Sequence, residues 1–130
     1  MNILRPVDIE NEIRNALKNY VTTYCRPLPA KFSMPSVLVA VAGGTTANTI
    51  DTFTVTLSAR AETDAEAYDC LSTALGVLEY QTKNQIGYLR NVSINSLASW
   101  GSDPVRPDVK LCTATILVTA HRELFTIKES

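Results

Sequence analysis

The feature that most constrains the fold is an alternation of apolar and polar residues over Ile50–Ala61 that is cleaner than in any other segment. One alternate set is apolar: Phe53, Val55, Leu57, Ala59 and Ala61. The other set is polar: Thr52, Thr54, Thr56, Ser58 and Arg60. A period of two with one hydroxyl-rich side predicts a strand that is half buried in a sheet. Leu111–His121 alternates in the same way and predicts a second such strand.

Two further strands are predicted from shorter patterns. Ser36–Ala42 is a continuous apolar run with β-branched residues, which favours a buried strand. Leu89–Ala98 is predicted as another strand, with Val92 and Ile94 facing inward. The glycine-rich segment Gly43–Asn48 is expected to form a turn or loop.

Two helices are predicted from apolar residues that recur with helical spacing. The first is expected over Asp8–Tyr24, where Ile9, Ile13 and Leu17 begin an apolar stripe and Asp8 can cap the start. The second is expected from Thr63 to about Lys83, because the pair Thr63 and Glu66 forms a capping box.

The order of these elements is helix, strand, strand, helix, strand, strand (αββαββ). It predicts an α+β fold in two layers, with a four-stranded, mainly antiparallel sheet and two helices on one of its faces. Residues 1–130 are expected to form a single domain, because 130 residues leave room for one core. The charged C-terminal tail, residues 122–130, is expected to be flexible.

Composition excludes several broad classes of protein. Apolar residues make up 45% of the chain and its net charge is −1, which argues against a disordered chain and against a polybasic nucleic-acid binder. No apolar run approaches the roughly 18 residues of a membrane span. The first residues lack the apolar stretch of a signal peptide, so we expect a protein that is cytoplasmic or assembled in the cytoplasm.

The sequence offers little for catalysis or for metal binding. The three cysteines, Cys25, Cys70 and Cys112, are widely spaced, and His121 is the only histidine. A structural zinc site needs about four nitrogen or sulfur ligands, and a catalytic triad would have to use His121. Phosphate-binding and nucleophile-elbow motifs are missing from the sequence. We therefore expect no enzyme, no cofactor and no metal site.

The segment Trp100–Asp108 is the strongest candidate for an interaction site. It holds the sole tryptophan and two prolines, which lower the entropy cost of docking. Trp and Arg often anchor interfaces, so the candidate contacts are Trp100, Asp103, Arg106 and Asp108, together with Gly43 and Gly44 in the glycine-rich segment. The alternative is that Trp100 folds over the sheet edge, while Arg106 pairs locally with Asp103 or Asp108.

Three stretches resemble the small tail terminator, or tail-completion, proteins of long-tailed phages and prophages. They are Ala61–Tyr68, Ile94–Asp108 and Cys112–His121. The most specific piece is the pattern N-S-L-x-S-W-G-x-D-P-V-R-P-D within the second stretch. The resemblance covers the C-terminal half well, whereas the N-terminal half matches mainly in length and element order.

The resemblance implies a virion structural protein and no enzyme. Proteins of this family assemble as a ring, usually a hexamer, that caps the head-proximal end of the tail tube and stops its polymerisation. The implied partners are further copies of the chain, the tail tube protein and the head-side connector, with DNA only passing through the lumen. Two alternatives stay open: another ring of the head–tail junction, such as a stopper or adaptor, and a small cytosolic ligand-binding or enzymatic domain that uses Cys25 or His121.

Overall fold

The computed structural model describes residues 1–48 and 50–128 of the chain. Within these residues it contains two helices and seven strands. The elements are, in chain order, β1 (Asn2–Arg5), α1 (Ile9–Leu17), β2 (Thr23–Cys25), β3 (Ser36–Ala47), β4 (Ile50–Ala61), α2 (Asp64–Lys83), β5 (Leu89–Ser102), β6 (Lys110–Ala120) and β7 (Glu123–Thr126).

Five strands form the main sheet, in the order β2-β3-β4-β6-β5. All neighbours in this sheet are antiparallel except β2 and β3, which run parallel. Strands β1 and β7 pair antiparallel in a separate two-stranded sheet. The predicted α+β class is confirmed. The predicted four-stranded sheet and αββαββ order are incomplete, because they lack β1, β2 and β7.

The core lies between the two helices and one face of the main sheet. Ile13 and Leu17 of α1, and Leu71 and Leu78 of α2, are fully buried. They belong to one apolar cluster with alternate residues of the strands: Val37, Val39, Val55, Leu57, Ala59, Ala61, Cys112, Ala114, Ile116 and Val118. Since side chains alternate along a strand, all of these project from the same face of the sheet.

The other face of the sheet carries no helix and is rich in hydroxyl groups. Thr113 on β6 donates a hydrogen bond to Ser58 on β4 at 3.3 Å, and the Thr52 and Thr119 hydroxyls lie 3.5 Å apart. We call this surface the open face. The alternation that predicted β4 and β6 is thus confirmed on both faces of the sheet.

The first helix is shorter than predicted. Asp8 caps it by accepting a hydrogen bond from the Asn11 amide at 3.3 Å, but the helix ends at Leu17 instead of Tyr24. The next residues turn and then enter β2. The segment Tyr20–Tyr24 is rich in β-branched and aromatic residues, which favour a strand over the continuation of a helix. The second helix begins as predicted, with the Thr63 hydroxyl accepting from the Glu66 amide at 3.2 Å.

Two predicted loops are partly strand. Strand β3 continues through Gly43 and Gly44 to Ala47, past an irregularity between Val41 and Gly43. Strand β5 continues to Ser102 and so includes Trp100. A bulge keeps a strand paired while it accommodates an extra residue, and this is how both strands extend beyond their regular patterns.

The C-terminal segment also differs from the expectation. Residues 123–126, predicted to be part of a flexible tail, form β7 and pair with β1. Arg5 and Glu123 support this pairing with an ion pair of 2.6 Å. The last two residues of the predicted tail, 129 and 130, lie outside the described residues.

Candidate interaction surface

Trp100 stands on the surface at one edge of the main sheet. Its side chain is 52% exposed, and its ring stacks on that of Tyr68 with centroids 5.6 Å apart and planes 25° apart. Tyr68 lies in the second turn of α2 and is itself 41% exposed. The two rings therefore form a rigid platform that remains open to solvent.

The platform continues along β5, the edge strand of the sheet. Ile94 is 41% exposed and Leu97 is 56% exposed. Ile94 and Trp100 face the buried residues Ile116 and Cys112 across the β5–β6 pair, so both project on the helix side of the sheet. We call Tyr68, Ile94 and Trp100, together with the exposed Leu97 in the irregular part of β5 between them, the β5-edge patch.

Most of this edge lacks two of the usual protections against association, charged side chains and proline, and has β-bulges in their place. Edge strands in soluble proteins commonly carry Lys, other charges or Pro. Asn91–Ser102 contains twelve residues without a charged side chain or a proline. Its pairing with β6 is irregular at three places. Ile94 still faces Ile116 on the helix side, as the sequence pattern predicts, and it is exposed because β5 is the edge strand of the sheet.

Asp103 is placed inside the protein rather than on its surface. Its carboxylate accepts hydrogen bonds from the Arg60 guanidinium at 2.9 Å and from the amides of Val105 and Arg106 at 2.8 and 3.2 Å. The side chain is 8% exposed. Asp103 therefore shapes the turn that follows β5 and has little area to offer to a partner.

Arg106 and Asp108 lie on the outside of the same turn. The Arg106 guanidinium is 5.5 Å from the centroid of the Phe32 ring and 3.9 Å from the Asp108 carboxylate. Both side chains are exposed, so this pair contributes little to stability. Arg106 lines a pocket with Phe32, Arg60 and Asp103, which includes no residue of the β5-edge patch.

Gly43 and Gly44 are not part of the same surface. They lie on β3, and two strands, β4 and β6, separate them from β5. A Cβ atom added at Gly44 would lie 2.9 Å from the Thr52 carbonyl oxygen, so glycine at this position permits the close approach of two strands.

The residues of the alternative hypothesis, Cys25 and His121, are also far from the platform. Cys25 is partly buried and its thiol donates to the carbonyl oxygen of Glu10 at 3.3 Å. Burial, with the nearby Glu10 charge, raises the pKa of the Cys25 thiol, which disfavours the reactive thiolate. His121 is exposed just after β6.

Two buried carboxylates predict how the stability of the protein changes at acidic pH. Hydrogen bonds from Arg60 to Asp103 and from Arg122 to Asp51 lower the pKa of both carboxyl groups below their usual 3.8, against the opposing effect of burial. A lowered folded-state pKa adds stability that is present above the unfolded value and is lost as the pH falls through the folded value. We therefore expect the free energy of unfolding to drop steeply below about pH 4.

Urea titrations at a series of pH values would measure this dependence. The variant D103N has no carboxyl group to protonate at that position, so its curve should fall less steeply over the same interval. Parallel curves for wild type and D103N would show that Asp103 does not contribute to the acid sensitivity.

The described part of the chain offers no metal site and no membrane-spanning helix. No three His, Cys, Asp or Glu side chains in residues 1–48 and 50–128 lie close enough together to hold a metal ion. Neither α1 nor α2 has the length and apolar character needed to cross a membrane. Comparison of the sequence with protein-family models and with curated protein sequences found no match.

Proposed function

We propose that this chain is a tail terminator of a long-tailed bacteriophage. It would act as a virion structural protein that forms a ring, expected to be a hexamer, on the head-proximal end of the tail tube. The ring would stop tube polymerisation and present a surface to the head-side connector. The sequence resemblance over Ile94–Asp108 suggests this role, and the β5-edge patch supports it physically.

The single observation that carries the proposal is the exposed Tyr68–Trp100 platform on an uncharged sheet edge. Interfaces are enriched in aromatic residues and in Arg, and their centres are depleted of other charged residues. Asp64, four residues before Tyr68 on the same side of α2, would supply a charged rim beside the platform. An apolar centre with a charged rim is the usual arrangement of a protein–protein contact.

A ring follows from a contact between two different surfaces. A subunit that binds its neighbour through unlike patches forms a closed ring when the rotation between neighbours closes. The near-neutral net charge of −1 suits a surface that meets another copy of itself. A chain of 130 residues is too small to surround a DNA duplex alone, so a lumen for DNA needs several copies.

The proposal predicts that W100A abolishes self-association. A buried interface Trp typically contributes 2 kcal/mol or more, which weakens each contact by roughly thirtyfold or more. Native mass spectrometry should show a ring for wild type and monomers for W100A at the same concentration. Y20A is the matched control, because Tyr20 is 65% exposed outside the patch, and it should retain the ring.

The role in the phage is tested by complementation of a phage that lacks this gene. Electron microscopy of that phage should show abnormally long tails without heads, and wild-type protein should restore joined tails of normal length. W100A should fail to restore them. Tails of normal length that accumulate unjoined in the deletion would instead indicate a stopper or adaptor.

A further inference from the structure

A second exposed apolar surface lies at the opposite end of the main sheet. Leu4 on β1 is 60% exposed and Ile50 at the start of β4 is 53% exposed. They border a pocket of about 350 Å³. Its remaining lining residues are Arg90, Thr119, Ala120, His121 and Arg122. We call this site the sheet-end pocket.

The sheet-end pocket carries an uncompensated positive charge. Arg122 is neutralised by Asp51, whose two carboxylate oxygens each accept a hydrogen bond from it at 3.0 Å. Arg90 instead donates to the carbonyl oxygens of Gly87 and Leu89, which leaves its charge unpaired among the described residues.

The β5-edge patch has a carboxylate at its border. Asp64 lies four residues before Tyr68 on α2, which places both side chains on the same side of the helix. Burial raises the pKa of the Cys112 thiol, and the Asp64 charge raises it further. Cys112 is the cross-strand partner of Trp100, so the Asp64 charge acts close to the patch. The two surfaces therefore match in character: each is apolar, and their borders carry opposite charges.

The β5-edge patch and the sheet-end pocket are two separate surfaces on one subunit. Trp100 is opposite Cys112 on β6, whereas the sheet-end pocket includes Ala120 of the same strand. These two positions on β6 are eight residues apart, or roughly 27 Å at the usual strand rise. One copy can thus engage a neighbour at each site at the same time.

We propose that the sheet-end pocket of one copy receives the β5-edge patch of the next copy. This inference rests on the proposed function, since it names the second half of the contact that closes the ring. The occupant is a second copy of this chain, which docks Trp100 and Leu97 against Leu4 and Ile50 and brings its Asp64 towards Arg90. Each subunit uses both surfaces once, as a heterologous contact requires.

Mixing two one-sided variants tests the pairing. W100A disables the β5-edge patch but keeps the pocket. L4E places a charged carboxylate at the apolar position that Trp100 and Leu97 would contact, but keeps the patch. Each variant alone should be monomeric by native mass spectrometry. An equimolar mixture should form a 1:1 heterodimer and nothing larger, because it has one intact pair of surfaces. Y20E, which changes neither surface, should retain the full ring.

The outcomes separate this inference from the proposed function. If L4E keeps the wild-type ring while W100A loses it, the pocket is not the complement of the patch, and the ring itself still stands. If both variants stay monomeric when mixed, the two surfaces do not pair with each other. If wild type is monomeric at every concentration, the ring and this pairing are both wrong. Circular dichroism of L4E and W100A checks that each monomer is folded.

Discussion

Replacing Asp103 with alanine should lower the free energy of unfolding by about 3–5 kcal/mol. Removal of one partner from a buried ion pair has this cost because it leaves the other charge without compensation. Arg60 is that other charge, and its side chain is only 11% exposed. Its Nη1 atom is buried without a hydrogen-bond partner among the described residues, so this atom offers no compensation when Asp103 is removed.

The loss also extends to the backbone of the turn after β5. The Asp103 carboxylate accepts from the amides of Val105 and Arg106, and D103A removes the acceptor of both. These amides order the turn that directly follows β5, the edge strand that carries Trp100. We therefore expect D103A to weaken self-association as well, although Asp103 itself has almost no exposed surface.

Urea denaturation would measure the difference, with D108A as the matched control. Asp108 lies in the same turn, but its side chain is 77% exposed and its distance to Arg106 is 3.9 Å. An exposed pair of this kind contributes at most about 1 kcal/mol. Equal effects of D103A and D108A would contradict the structural role assigned to Asp103.

The alternation of β4 and β6 predicted the centre of the fold from sequence. From Thr52 of β4 onwards and along β6, alternate side chains divide between the core and the open face, because a period of two has a direct physical meaning in a sheet. The start of α2 was predictable for a similar reason, since the Thr63 cap depends only on residues near in sequence.

The remaining elements depend on contacts between residues distant in sequence. Strand β2 has three residues and exists because it pairs with β3, while β7 needs β1, which lies at the other end of the chain. The end of α1 is fixed in part by Gln81 of α2, whose side-chain amide donates to the Ala16 carbonyl at 2.7 Å. The β-branched and aromatic composition of Tyr20–Tyr24 favours a strand, but nothing in that segment identifies β3 as its partner.

The candidate surface was predictable only in part. The unusual composition of Trp100–Asp108 marked that segment, but composition does not separate the exposed Trp100 from the buried Asp103. Tyr68 was found only through its stacking on Trp100, a contact between residues 32 positions apart. The one sequence signal for Ile94 and Leu97 is the uncharged run Asn91–Ser102, which is unusual for a sheet edge.

The second large effect is expected for I116A, with a loss of about 2–5 kcal/mol in the free energy of unfolding. Ile116 is fully buried on β6, between its cross-strand partners Val55 and Ile94. Truncation to alanine removes apolar contacts and leaves a cavity, and a strand held by neighbours on both sides cannot move to fill it.

The next residue, Leu117, provides the control because it projects from the opposite face of the same strand. It is only partly buried and lies among Thr54, Thr119 and Ser93 on the open face. L117A should therefore cost about 1 kcal/mol or less. The ratio of the two losses in urea denaturation tests which face of the sheet holds the core. Similar losses would mean that a partner or another part of the chain covers the open face as closely as the helices cover the other.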